Sequence, residues 1–539
     1  MIGRAGFSSK CWRVLRWAGL AAAAPALWAC TSRTLETPTI TPTANLTTTF
    51  TQKVNNEIDI LFMIDDSSSM TSMQQKLLTQ LPTFMQVLQQ LPTGLPSLHV
   101  AVVSQDMGAP GDSTASIGCT NAGKDGVFQF APEGTCTGTT LTTGSTYISD
   151  VDMMPNFTDP IGTVFQCIAL LGSSGCGFEH QLAAIDRALG ADGNGAPPTQ
   201  NAGFLRPEAY LGIVMLTNED DCSATPPTTI YGLNGGQQNI MNPDGPIQNY
   251  RCNGGPRGAH YCQDPNSANP TAYETPPLLP PADATGNPPR LPLANCEDNE
   301  SGSSALTPVS KFISDIKSLK TDPDNQILVA GIIGPATPYA VEWDPEMGGQ
   351  NTQPGELWPA VQHSCGPDTA TAPAVNPQSS QFTTDQSFGD PGVREAQFIG
   401  AFKNSVVASI CDPTYAASMT TIATKLGQLI TPPCITGTLQ QDGNNQPVCS
   451  VVENLTDMAG NSSHIALQNC AAPNANQAQC WKVATGVMGC NGAQITVTDT
   501  VNANPQSENS DIDCSICLPG AAVTGCPCVA GNVVPGCLM

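Results

Sequence analysis

Charge is scarce in this chain of 539 residues. Only 12% of positions are Asp, Glu, Lys or Arg, about half the share in an ordinary soluble domain. Cations are scarcest. The 20 Lys and Arg stand against 45 Asp and Glu, a formal net charge of −25. No nucleic-acid partner is expected, because phosphate contacts need clustered cations. Aromatic residues are 5%. No HExxH, GxSxG or GxxxxGK[ST] occurs, which removes the zincin, nucleophile-elbow and P-loop classes. Ser314-Asp315-Ile316-Lys317 fits S-x-x-K, but it lies in an amphipathic helical pattern with no later K-T-G. The chain is therefore read as a non-enzyme. Gly (50) and Pro (47) together make about 18%, above the average of roughly 12% and below the roughly 25–30% of low-complexity chains. A folded chain with long loops and at least one sizeable core is expected.

What is present at the N-terminus reads as an address. Arg4, Lys10, Arg13 and Arg16 form a basic segment, and Trp17 to Ala29 is an apolar stretch of signal-peptide length. It ends Leu27-Trp28-Ala29-Cys30, which resembles a bacterial lipobox, with Trp28 where a small residue is usual. The resemblance implies that residues 1–29 are cleaved and that Cys30 is lipidated, anchoring the chain to a membrane. Thr31 at the following position points to the outer membrane or cell surface. Residues 30–53, rich in Thr and Pro, read as a linker. Cleavage removes four cations and no acid, taking the charge from −25 to −29.

Setting Cys11 and Cys30 aside, the 22 cysteines become 20, an even number. An exported chain with that many is expected to be stapled by disulfides. Connectivity stays open; the local pairs expected are Cys119–Cys136, Cys167–Cys176 and Cys252–Cys262. Cys514, Cys517, Cys526 and Cys528 imitate a zinc site, and disulfides are the expectation there too.

Residues 58–64, 98–103, 211–217 and 327–333 are near-continuous apolar runs, as buried central strands should be, and 406–410 adds a short strand. Helical spacing appears over 71–91 (with Pro82 as a break or kink), 178–189, 308–319, 394–404 and 414–430. Glu179-His180 is read as packing or a solvated pair. Strands alternating with helices predict an α/β fold: a doubly wound, mostly parallel sheet. Stretches near 107–150, 223–305 and 335–390 break the rhythm and read as disulfide-pinned surface insertions. The main domain is thus 54–430. Residues 431–539, dense in cysteine and short β-prone runs, read as a small Cys-rich β module.

The first strand ends in Asp65-Asp66-Ser67-Ser68-Ser69-Met70 just before a helix. Asp65, Ser67 and Ser69 alternate, so a tight turn aims three oxygens at one point, at the strand end where α/β folds bind ligands. Oxygen-only donors suit a hard cation. Two neutral hydroxyls leave that cation net positive and open to a further anionic ligand.

This opening resembles von Willebrand factor type A (VWA) domains, which carry Asp-x-Ser-x-Ser at this strand end as the first loop of a metal-ion-dependent adhesion site (MIDAS). The family has Gly where Asp66 and Ser68 stand. Its second loop offers a Thr after a Gly; here Gly172-Ser173-Ser174-Gly175 places Ser173 there, with Ser174 as a rival. Its third loop reads Leu-Thr-Asp-Gly; here it is Leu216-Thr217-Asn218-Glu219-Asp220-Asp221. Asn218 replaces the Asp, and Asp220 is a candidate to take over its role, unless the cluster is simply a solvated acidic loop. The resemblance implies a divalent cation, Mg²⁺ first with Ca²⁺ or Mn²⁺ as alternatives, held by Asp65, Ser67, Ser69, Ser173, Asn218 and Asp220. It also implies a protein partner offering a carboxylate, in adhesion or complex assembly. The alternative is a metal-free structural envelope protein with this fold as scaffold.

Overall fold

The apolar run at 58–64 forms the middle of the fold. The computed structural model describes residues 48–53, 56–91, 94–109, 119–131, 141–151, 153–225, 228, 230–232, 249–253, 258, 260–265, 291–298, 304–345, 357–366, 388–430, 435, 437–456, 462–485, 492–499, 507–517, 524–528 and 537–538. The expected signal segment, Cys30, residues 31–47 and Cys136 lie outside the described residues.

In chain order the strands are β1 (Thr48–Lys53), β2 (Glu57–Ile64), β3 (Ser97–Ser104), β4 (Ile148–Val151), β5 (Met154–Pro155), β6 (Tyr210–Leu216), β7 (His260–Gln263), β8 (Leu291–Asp298), β9 (Ile327–Ile333), β10 (Tyr339–Pro345), β11 (Leu357–Val361) and β12 (Asn404–Ser409). Beyond them come β13 (Thr438–Leu439), β14 (Cys449–Thr456), β15 (Ser462–Asn469), β16 (Gln479–Thr485), β17 (Ala493–Asp499), β18 (Ser507–Cys514) and β19 (Ile516–Cys517). The helices are α1 (Thr71–Gln89), α2 (Ile161–Ile168), α3 (Gln181–Leu189), α4 (Asn249–Asn253), α5 (Val309–Ser318), α6 (Pro323–Gln326), α7 (Val393–Gly400) and α8 (Ala416–Ile430).

The central sheet runs β12-β9-β6-β2-β3-β4-β5. Its first five strands are parallel, and β4 and β5 add an antiparallel edge. The sheet is therefore mixed, with a parallel centre. Side chains of β2 alternate between two cores. Ile58, Ile60, Phe62 and Ile64 pack with α1, α2 and α8, while Leu61 and Met63 pack with α3, α5 and α7. Burial on both faces explains why these strands read as near-continuous apolar runs. Pro82 does not break α1, which continues through it. Its ring lies against Gly162 of α2, where a Cβ would come within 2.9 Å of Pro82.

The stretches expected as loop insertions carry a sheet of their own. Strands β11-β10-β8-β7 pair antiparallel, which joins residues near 260–298 to residues near 339–361. The C-terminal region forms a six-stranded sheet ordered β1-β18-β14-β15-β16-β17. Its edge strand β1 comes from the stretch expected to be linker up to residue 53, and pairs with β18 from Thr48↔Cys514 to Lys53↔Asn509.

The local disulfide pairs expected from spacing are overturned. Cys119 bonds to Cys176, Cys222 to Cys252 and Cys262 to Cys296, the last joining the paired strands β7 and β8. The zinc-like quartet is disulfide-bonded: Cys449–Cys514, Cys517–Cys526 and Cys528–Cys537. No helix among the described residues is long and apolar enough to cross a membrane.

Candidate functional site

Strand β2 lies between β6 and β3, and its carboxyl end delivers Asp65 and Asp66 to opposite neighbours. Asp65 is fully buried. Its Oδ1 accepts the Ser67 backbone N–H (2.8 Å) and its Oδ2 accepts the Thr217 hydroxyl (2.8 Å) just past β6. Its own N–H donates to the Leu216 carbonyl at 2.9 Å. Burial pushes Asp65 up to about 6 against the opposing pull of these donors, with Asp66 adding to the rise. The Ser67 and Ser69 hydroxyls lie 3.2 Å apart, and Ser69 Oγ donates to Asn218 Oδ1 at 3.1 Å. The first and third loops are thus joined through side chains that the sequence singled out.

The second loop is tied in from its backbone. Gln74 Nε2 donates to the Asp65 carbonyl and to the Gly172 carbonyl, both at 2.8 Å. Gly172 takes φ 76°, a left-handed conformation that favours glycine. Next to it Ser173 is half-buried, whereas its rival Ser174 is exposed. Gly175 N–H donates to the Asp66 carbonyl at 2.8 Å. A Cβ at Gly175 would lie 2.3 Å from Asp66 Oδ1, so only glycine fits. The Cys119–Cys176 bridge fastens this loop to the first insertion.

Asp66, where the resembling family has Gly, faces the end of β3. It accepts the Ser104 hydroxyl at 2.6 Å and pairs with Lys124 from the first insertion. Its charge is neutralised inside the fold.

The third loop is not a solvated acidic turn. Asn218, Asp220 and Asp221 are all buried. Asp220 Oδ1 accepts the Arg394 N–H at the start of α7, at 2.9 Å. Asp221 accepts the Leu182 N–H at 3.0 Å and Arg394 Nε at 3.1 Å. Arg394, itself fully buried, also pairs with Asp298 and donates to the Thr307 carbonyl at 2.6 Å. Asp220 is therefore committed to α7, while Asn218 meets Ser69.

Sequence reasoning missed three residues here. Thr217 bonds to Asp65 directly. Glu179, expected to be packing or solvated, is buried beside Glu219 and Asp65. Burial, Glu219 and Asp65 hold its carboxyl well above the usual range. Glu219 is pushed up to about 8 by burial and then by Asp390. The available signal for Glu179 was its place at the junction of the Gly-rich loop and α3.

The donor chemistry fits a hard cation. Asp65, the two serine hydroxyls and the Asn218 amide are oxygen donors drawn together at one strand edge. Among the described residues, no three His, Cys, Asp or Glu side chains converge to hold an ion by themselves. A cation here would rest on one carboxylate and neutral oxygens. Asn218 Oδ1 already faces the serines through Ser69, while its Nδ2 is buried with no hydrogen-bond partner among the described residues.

No protein-family model matches the chain, and no curated protein matches it. Among solved structures, the chain is similar to the pilus adhesin SpaC from Lactobacillus rhamnosus GG in its open conformation (11% identity, 88% of this chain, 41% of that chain, TM-score 0.27). It is also similar to a von Willebrand factor type A structure from Catenulispora acidiphila (10% identity, 87% and 65%, TM-score 0.27). A third is the vWF domain of the type V pili tip protein Mfa5 from Porphyromonas gingivalis (13% identity, 71% and 99%, TM-score 0.26). The chain spans less than two thirds of the first two structures.

Proposed function

We propose that this chain is a lipid-anchored protein of the outer membrane or cell surface that binds a protein partner through a divalent cation, Mg²⁺ in the first instance. Asp65, Ser67 and Ser69 would hold the ion, with Ser173 from the second loop and Asn218 from the third; Asp220 would steady the third loop through α7. When bound, the ion supplies a positive centre for a partner's carboxylate. Asp65 contributes the anionic oxygen, Thr217 and the Ser67 N–H fix its orientation, and Gln74 holds the second loop against the first. The observation that carries this reading is the bonding of all three loops around Asp65. Adhesion or complex assembly needs no covalent chemistry, and the reading is of a non-enzyme.

A metal-free scaffold is the second reading. It is favoured by the neutral Asn218 and by the serine hydroxyls already bonding to one another. Thermal melting of chelator-stripped protein separates the two. Mg²⁺, Mn²⁺ or Ca²⁺ raises the melting temperature by mass action under the first reading, and Asp65→Ala abolishes the rise. A rise that survives Asp65→Ala removes the metal assignment, and no rise in the wild-type chain leaves the scaffold.

A further inference from the structure

We infer that Asn218 is the specificity-determining residue of this site: its neutral amide lowers the affinity for the cation and raises the affinity of the loaded site for a carboxylate. The inference rests on the metal-dependent reading above. Its grounds are where the acids of the third loop go. Asp220 and Asp221 are engaged by Arg394, through its N–H at 2.9 Å and its Nε at 3.1 Å. Asp66 of the first loop is paired with Lys124. The side chain the third loop bonds to the serines is Asn218, fully buried, with Oδ1 on Ser69 and its backbone carbonyl on the Asp390 N–H at 2.8 Å. Its side-chain oxygen and its backbone carbonyl are both bonded, and it brings no charge. An Asp of nearly the same shape at this position would bring one more.

One added negative charge acts in opposite directions on two equilibria. It attracts the cation, and it cancels part of the field that an incoming carboxylate meets. Glu179 and Glu219 stand near Asp65 in either chain, so the comparison isolates one charge. A structural defect would weaken both equilibria together; opposite signs are the mark of a charge effect.

The test uses the full mature chain. Mg²⁺ affinity is measured by calorimetry, and acetate affinity by paramagnetic relaxation of its methyl protons with Mn²⁺ in the site. Asn218→Asp is expected to bind Mg²⁺ about tenfold more tightly and acetate about tenfold more weakly. If Asn218→Asp fails to fold, Ser69→Asp places the charge at the other end of the 3.1 Å hydrogen bond, and the same opposed pair is expected. Both constants unchanged, or both moving the same way, overturn the inference while wild-type Mg²⁺ binding keeps the metal reading intact. A wild-type chain that binds no Mg²⁺ overturns both.

Discussion

Replacing Arg394 with Met tests how the third loop is held. The guanidinium is fully buried and contacts Asp221, Asp298 and the Thr307 carbonyl. Met fills a similar volume but leaves two buried carboxylates without their cation. Removing one partner of a buried ion pair costs roughly 3–5 kcal/mol. Asp221 keeps the Leu182 N–H and Asp298 keeps the Val309 N–H, so a loss of about 4 kcal/mol is expected rather than two full penalties. Urea unfolding followed by near-UV circular dichroism measures it, with an unchanged slope confirming that the same structure unfolds. A loss below about 1 kcal/mol, the scale of an exposed pair, would refute the reasoning.

Three further outcomes follow from the same contacts. Burial, and then Asp315, push Asp186 between α3 and α5 up to about 8, against the pull of Lys311; its contribution to stability is full below about 4 and lost as pH rises toward 8, so Asp186→Asn should flatten the pH dependence of urea unfolding in that window, and an unaltered slope contradicts it. Gly175→Ala forces a Cβ against Asp66 at 2.3 Å and should lower stability by roughly 1–3 kcal/mol, read by thermal melting; no change would mean the loops separate freely. Lys124→Met leaves Asp66 buried with the Ser104 hydroxyl as its remaining side-chain donor among the described residues, and should cost about 2 kcal/mol, less than a fully buried pair because the lysine side chain is 28% exposed; equal midpoints in urea would contradict the pairing.

The centre of the fold was legible because burial on both faces writes itself into composition. The runs ending at Leu216 and Ile333 have nothing polar to interrupt them, the run ending at Ile64 is broken only by the buried Asp59, and the strands end at those residues. The insertion sheet was not legible, since β8 pairs with β10 across two intervening helices and a strand, and no local pattern records that partner. The same holds for β1, whose partner β18 lies near the other end of the chain. Disulfides failed on the same ground: Cys119 and Cys176 are 57 residues apart. In the site, Asp65, Ser67 and Ser69 were readable from their spacing at a strand end. The fate of Asp220 was not, because it depends on Arg394, 174 residues away. Glu179 escaped because burial beside Asp65 is a property of the assembled fold.

The oxygens around Asp65 are proposed to hold a divalent ion. Element analysis after dialysing chelator-stripped protein against MnCl₂ tests it most directly. A single Mn²⁺ retained per chain, and none in Asp65→Ala, is the expected outcome. Retention that is absent in the wild-type chain, or equal in the two, would contradict it.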